Sequence, residues 1–368
     1  MSSFEKFQEL FNADEMRKLS ESDVGLLWLK LKSISRKKLL NEFQKSLKLP
    51  ELPDKVGEKF CAIFNELSQD VENSHKLINC FIKKHAETHS KEELESIASE
   101  LHKMKSFSWG GDYSNALDKF LVDRYIKKIN SYDSIMKELK TQIPPAVEGY
   151  VLCSWYNHWS TILIERVFHM HGKVLPAIGN VKKIDFFIED VPFDLKTTYL
   201  PLNFVKQKRK ESEIPSELTV LKEIAKEHGI FFDEEESEKN IAYEIAERIK
   251  TSGNKQSRDQ LSELWDFRKQ LLQECQCNPT PLIQNLYEQQ GAMRFDSSNR
   301  LYVVLADISD FDNSWKLKRN PKLLTESIHA YLDSFSKESL SQINFRHKEK
   351  SGNFSALSDA ICIIAESD

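Results

Sequence analysis

The residue types best suited to chemistry lie in one stretch, Lys183-Ile184-Asp185-Phe186-Phe187-Ile188-Glu189-Asp190-Val191-Pro192-Phe193-Asp194-Leu195-Lys196-Thr197. Two apolar runs flank an acidic pair, the pattern of a β-hairpin that reverses at Glu189-Asp190. That reversal sets Asp185 opposite Asp194 and Lys183 opposite Lys196, so four charges share one face. Like charges directly across an antiparallel pair lie about 4.5–5.5 Å apart at Cβ and destabilise it. A divalent cation between the carboxylates removes the penalty, and Mg²⁺ suits them because it takes one or two carboxylates and completes its shell with water and phosphate. Lys196 falls on the same face as Asp194 by the strand period of two. Its ammonium is placed to hold a nucleophilic water or to offset charge on a phosphorane-like group.

The opposite face, Ile184, Phe186 and Ile188 with Phe193, Leu195 and Thr197, is apolar and expected to be buried. An amphipathic hairpin with one solvated face shows the same alternation. Phe187 on the charged side argues against full solvation there. Upstream, Trp155, Trp159, Ile162, Leu163 and Arg166 follow the helical period, and Glu165 stands among apolar neighbours, an unusual place for a lone carboxylate. His169 and His171 could act as ligands but are more simply polar residues at a helix C-terminus.

Asp185, followed nine residues later by Asp194-Leu195-Lys196 and preceded by Glu165 on a helix, resembles the active-site signature of the PD-(D/E)XK nuclease superfamily, with Ile184 where that family's proline would stand. The resemblance covers about residues 155–200 closely. It implies a restriction-endonuclease-like fold and a Mg²⁺-dependent phosphodiesterase acting on DNA, with Mn²⁺ able to substitute. Asp185 and Asp194 would hold the metal with Glu165 in support, and Lys196 would stand beside the attacking water.

Length and composition set the frame for these residues. At 368 residues two domains are expected, and 40% hydrophobic with 30% charged residues suits a globular chain with a sizeable core. No run of about 18 apolar residues suggests a membrane span, and the N-terminus lacks the layout of a signal peptide. Six cysteines form no disulfide framework. Cys61, Cys80, Cys153 and Cys362 read as small core residues, and Cys275-Gln276-Cys277 has no second pair to complete a zinc site. A reducing cytoplasmic setting is expected.

The net charge is −5, with 24 basic and 23 acidic residues up to Pro145 and 28 and 34 beyond it. A DNA-binding surface must therefore concentrate its positive charge locally. Lys206-Gln207-Lys208-Arg209-Lys210, in a loop after the second hairpin strand, is the expected DNA contact, together with Lys183. Lys182, Lys316-Leu317-Lys318-Arg319 and Arg36-Lys37-Lys38 are further clusters. Asn180, Gln207, Arg209 and Arg294 are candidates for base contacts. The acidic run Asp233-Glu234-Glu235-Glu236 should face away from the groove.

Residues 1–145 read as successive amphipathic helices, broken at Trp109-Gly110-Gly111, with Ser22 or Asp23 capping one helix and Ser90-Lys91-Glu92-Glu93 forming a capping box. Pro144-Pro145 predicts a linker. Beyond it come a helix at 155–171, a short strand at 174–178, the hairpin, helices near 216–228, 237–250, 257–274 and 281–290, a strand at 301–306, a helix at 321–336 and a last strand at 360–365.

The expected architecture is therefore α/β: a helical N-terminal domain (1–145) for DNA, partner or dimer contacts, and a restriction-endonuclease-like nuclease domain (146–368), a mixed central sheet flanked by helices. The expected function is a sequence-specific, double-strand DNA endonuclease of the type II restriction kind, acting as a homodimer. The alternatives are a structure- or end-directed repair or defence nuclease, and a catalytically dead DNA-binding protein on the same fold.

Overall fold

A computed structural model describes residues 3–13, 15–107, 117–179, 181, 183–234, 238–291, 295–347 and 350–366, without the side chains of residues 239 and 350. Trp109-Gly110-Gly111, Asn180, Lys182, Glu235, Glu236 and Arg294 lie outside the described residues.

The chain opens with helices α1 (Ser3–Asn12), α2 (Met16–Ser20), α3 (Asp23–Lys32), α4 (Lys37–Ser46), α5 (Val56–Leu67) and α6 (Val71–His85). Their apolar stripes close on one another around Trp28, Phe43, Phe60 and Phe64. The Ser22 hydroxyl accepts from the Gly25 N–H at the start of α3, as its position before an apolar run predicts. The capping box Ser90/Glu93 opens α7 (Lys91–Leu101). Next come α8 (Leu117–Leu121), which continues into a π turn over Val122–Ile126, α9 (Tyr132–Thr141) and the long α10 (Ile143–His169).

Pro144 and Pro145 do not form a linker. They occupy the first turn of α10, where a missing N–H costs nothing because the first helical N–H groups have no intrahelical acceptor. Apolar packing crosses position 145: Leu94, Ala98, Leu101, Phe120 and Tyr125 share one buried cluster with Phe168, Phe193, Val303 and Ile361.

Strands β1 (Val174–Pro176), β2 (Phe186–Ile188) and β3 (Val191–Tyr199) follow α10, then α11 (Leu202–Glu211), α12 (Glu217–Glu227), α13 (Glu238–Thr251), α14 (Lys255–Cys277) and α15 (Thr280–Glu288). The chain ends with β4 (Arg300–Asp307), a 3₁₀ segment Phe311–Arg319, α16 (Pro321–Ser334), β5 (Ser341–His347) and β6 (Lys350–Ala365). The protein is thus mixed α/β; among the described residues a six-stranded sheet runs in the order β1-β2-β3-β4-β6-β5, flanked by helices. β1, β2 and β3 are antiparallel neighbours, β4 runs parallel to β3 and to β6, and β5 is an antiparallel edge. The expected last strand begins ten residues earlier than its apolar core, because the polar half pairs with β5, a strand that the alternation of Ile343 and Phe345 with polar residues signals but that was not among the expected elements.

The unbroken apolar run of β4 is explained by burial on both faces. Leu301, Val303 and Leu305 pack on the α10 and α16 side, and Tyr302, Val304 and Ala306 on the α11–α15 side. The hairpin has a different arrangement: Phe186 and Ile188 join the α10 cluster, while Phe187 inserts among the N-terminal helices beside Leu175 and Ile184. No helix among the described residues is long and apolar enough to cross a membrane.

Candidate active site

The hairpin reverses at Glu189-Asp190 as expected, with Ile188 opposite Val191, Phe187 opposite Pro192 and Phe186 opposite Phe193. Both turn residues take left-handed backbone, φ 47° for Glu189 and 68° for Asp190, as a two-residue hairpin turn matched to strand twist requires. Lys173 reaches Glu189 at 3.4 Å. The Asp190 carboxylate pairs with the buried ammonium of Lys30.

Beyond Phe186 the ladder changes. The Asp185 N–H donates to the Phe193 carbonyl at 2.8 Å and its own carbonyl accepts from Ala177 at 2.9 Å. Its carboxylate bends over to accept from the Leu195 N–H at 2.7 Å. Lys183, with φ 74°, turns the chain off the strand direction. Two expectations fail for this reason. Lys183 does not face Lys196; its ammonium lies 5.5 Å from the Phe11 ring centroid. Ile184 leaves the Phe186 face and packs with Phe187.

Asp185 and Asp194 are nonetheless brought together, with Lys196 beside them. The Lys196 Nζ donates to Asp194 Oδ1 at 2.5 Å, and 43% of the Lys196 side chain stays exposed against 9% for Asp194. Burial pushes the Asp185 carboxyl up to about 6; the Asp194 charge and a hydrogen bond with its side chain add to this, while the Leu195 N–H and Lys196 oppose it. Glu165, on α10, is pushed up to about 7, first by burial and then by the Asp185 charge. Three carboxyl groups therefore form a chain of mutual repulsion ending at one lysine.

Arg300 was missed by sequence reasoning. It stands directly across the parallel β3–β4 pair from Asp194, with Nε 3.4 Å from Asp194 Oδ2 and Nη2 3.0 Å from Asp296 Oδ1. Its guanidinium lies over the Tyr287 ring at 5.2 Å. The signal was a charged residue at the mouth of an otherwise apolar strand. Near Glu165 a cleft of about 320 Å³ opens, lined by His85, His89, Ile162, Arg166 and His169. His169 Nε2 is 3.8 Å from Glu165 Oε1, and burial holds this imidazole down to about 4. His171 is elsewhere, bonded to Asp333 at 3.1 Å.

The basic cluster 206–210 is helical, not a loop, and its members diverge. Arg209 is buried, donating to the Pro215 carbonyl at 2.7 Å with its guanidinium over Phe267; it cannot meet a nucleic acid as expected. Lys208 pairs with Glu211 at 2.7 Å and Lys206 with Glu238 at 3.4 Å, whereas Lys210 is exposed. Gln207 bonds Glu211 and Asn285. Lys318 and Arg319 also face inward, Lys318 to Asn157 and Arg319 to the Leu101 and Met104 carbonyls. Cys275 is buried, its thiol pushed up to about 11 by desolvation, while Cys277 and Cys80 are exposed.

Among the described residues no group of three or more His, Cys, Asp or Glu side chains is gathered to hold a metal unaided. The carboxylate pair is instead a two-ligand donor set of hard oxygens, desolvated and mutually repelling, which fits a cation that draws its other ligands from water and phosphate. Comparisons with protein-family models, with curated proteins and with solved structures give no match.

Proposed function

We propose that this chain is a Mg²⁺-dependent endonuclease that hydrolyses phosphodiester bonds in duplex DNA, with sequence specificity of the type II restriction kind and a restriction-endonuclease-like core. The observation that carries the reading is the meeting of Asp185 and Asp194 beside Lys196 at the point where β2 leaves the ladder. Two carboxylates in contact, Asp194 buried and Asp185 half-buried, are costly unless positive charge joins them, and a half-exposed ammonium next to them is the donor a phosphodiester needs.

Asp185 and Asp194 would hold the cation, with Glu165 approaching from α10. When bound, Mg²⁺ supplies charge that offsets the negative charge developing on the phosphoryl oxygens. Asp194 is kept in place by Lys196 on one side and Arg300 on the other; Asp185 is kept in place by the Leu195 N–H. Lys196, exposed on its outer side, donates to the attacking water or to a scissile-phosphate oxygen. Water then adds to phosphorus in line as the bond to the leaving oxygen breaks. Lys210 remains available to the phosphate backbone, and cutting both strands calls for two centres, hence a homodimer.

The experiment is digestion of a panel of supercoiled plasmids of unrelated sequence with Mg²⁺ or Mn²⁺. Discrete fragments are expected. Smearing or dependence on free ends would favour an end- or structure-directed nuclease, and no cleavage with either cation would leave a DNA-binding protein without catalysis.

A further inference from the structure

A fully buried charge outside the site is Lys30, on α3. Its side chain is fully buried, while its partner Asp190 is half exposed at the tip of the hairpin that carries Asp185 and Asp194. The Lys30 ammonium also meets His75 Nδ1 at 3.1 Å. His75 Nε2 lies 2.9 Å from the Asp23 carbonyl and must donate to it, which leaves the Nδ1 lone pair to accept from Lys30. The ammonium thus has two acceptors, one on α6 and one on the hairpin. Burial of a lysine without such partners is rare and costly.

Two further contacts tie the chain that leads into this hairpin to the turn that follows α3. A Cβ on Gly179 would fall 2.2 Å from the Ser33 carbonyl oxygen, so the chain leading into β2 passes α3 too closely for any side chain. Arg36 Nε donates to the Gly179 carbonyl at 3.1 Å. Phe187 belongs to the same buried cluster as Trp28, Leu29 and Leu31 of α3.

From these contacts we infer that α3 is a splint for the catalytic hairpin, and that Lys30 is a positioning residue whose ion pair with Asp190 holds Asp185 and Asp194 at their meeting point. The N-terminal helices then have a role in the reaction without touching substrate. The inference rests on the nuclease reading for its catalytic consequence, but not for its structural one. Removing the clasp lets the tip swing about β3, and Asp185 loses its hold on the Leu195 N–H before the rest of the sheet is disturbed.

The test uses the full chain with Asp190→Asn, Lys30→Met and Gly179→Ala. Asparagine tolerates left-handed backbone, so Asp190→Asn removes charge without straining the turn. Amide hydrogen exchange at Leu195 should quicken by about tenfold or more, the equivalent of one charge-assisted hydrogen bond, with β4 amides such as Val303 unchanged. The Mg²⁺ concentration for half-maximal cleavage should rise roughly tenfold, as when an outer partner of a metal ligand is lost, with kcat at saturating Mg²⁺ much less affected. A merely structural contact would lower the melting temperature and leave both readouts alone. Unchanged Leu195 exchange in folded Asp190→Asn overturns the inference, even if Lys30→Met fails to fold. Gly179→Ala, which leaves every charge in place, should move exchange in the same direction. If the wild type does not cleave DNA at all, the functional reading falls while the exchange result still decides the splint.

Discussion

Arg300 and Asp194 face each other across the parallel β3–β4 pair, both nearly excluded from solvent, with guanidinium Nε 3.4 Å from carboxylate Oδ2. The same guanidinium serves Asp296, so one cation compensates two carboxylates, one buried and one partly so. Replacing it leaves Asp194 with Lys196 and Asp296 with the Ser298 N–H and hydroxyl as their remaining partners. Arg300→Met is expected to cost about 3–5 kcal/mol, the usual penalty for removing one partner of a buried pair, measured by urea unfolding. Arg300→Lys keeps the charge but loses the planar fork and the face-on contact with Tyr287, so it should recover only part of the loss.

Asp185 and Glu165 hold their protons to higher pH in the folded chain than in the unfolded one, to about 6 and about 7. Their contribution to stability is complete below the ordinary carboxylate pKa and is lost as pH rises through those values. In chelator, wild-type stability should therefore fall between pH 4 and pH 7.5, and Asp185→Asn should be more stable than wild type at pH 8 by about 1–2 kcal/mol, allowing for screening at a half-buried group. Thermal unfolding against pH checks this. Added Mg²⁺ should narrow the gap between the two proteins.

Lys318 is a buried lysine with a single acceptor, Asn157 Oδ1 at 3.1 Å, and burial lowers its pKa to about 8. Below that pH the folded state must hold a buried charge met only by the neutral Asn157 amide and the face of the Tyr199 ring, 5.2 Å away. Lys318→Met should accordingly stabilise the protein by about 1–3 kcal/mol at pH 7, with the advantage shrinking as pH rises from 8 towards 10.5. Urea midpoints at pH 7 and pH 10 measure it.

What the sequence disclosed here was local. The turn at Glu189-Asp190, the register Phe186 to Phe193, the caps at Ser22 and Ser90 and the doubly buried β4 all follow from short-range patterns of charge and apolar period. What it concealed depended on distant chain. The departure of Asp185 from the ladder is set by the left-handed Lys183 and by Ala177, and Arg300 lies 106 positions from the aspartate it compensates. Positive runs were the least legible feature, since Arg209, Lys318 and Arg319 are consumed by internal carbonyls and amides that no charge pattern announces.

Arg209 and Lys210 are neighbours in sequence, one buried and one exposed. Arg209→Ala should lower stability by about 1–3 kcal/mol, through a lost buried hydrogen bond and lost packing on Phe267. Lys210→Ala should leave stability within about 0.5 kcal/mol, and it should weaken duplex binding uniformly across sequences with the salt slope reduced by about 1. Fluorescence anisotropy on a labelled duplex at several salt concentrations distinguishes them.

The most direct measurement is single-turnover cleavage of a duplex that the wild type cuts, repeated with Asp194→Asn and Lys196→Met after each is shown to be folded. The account predicts that both fall below about 1% of the wild-type rate, as expected when a charged group that acts in the transition state is removed. Cleavage at the wild-type rate by either variant would contradict it.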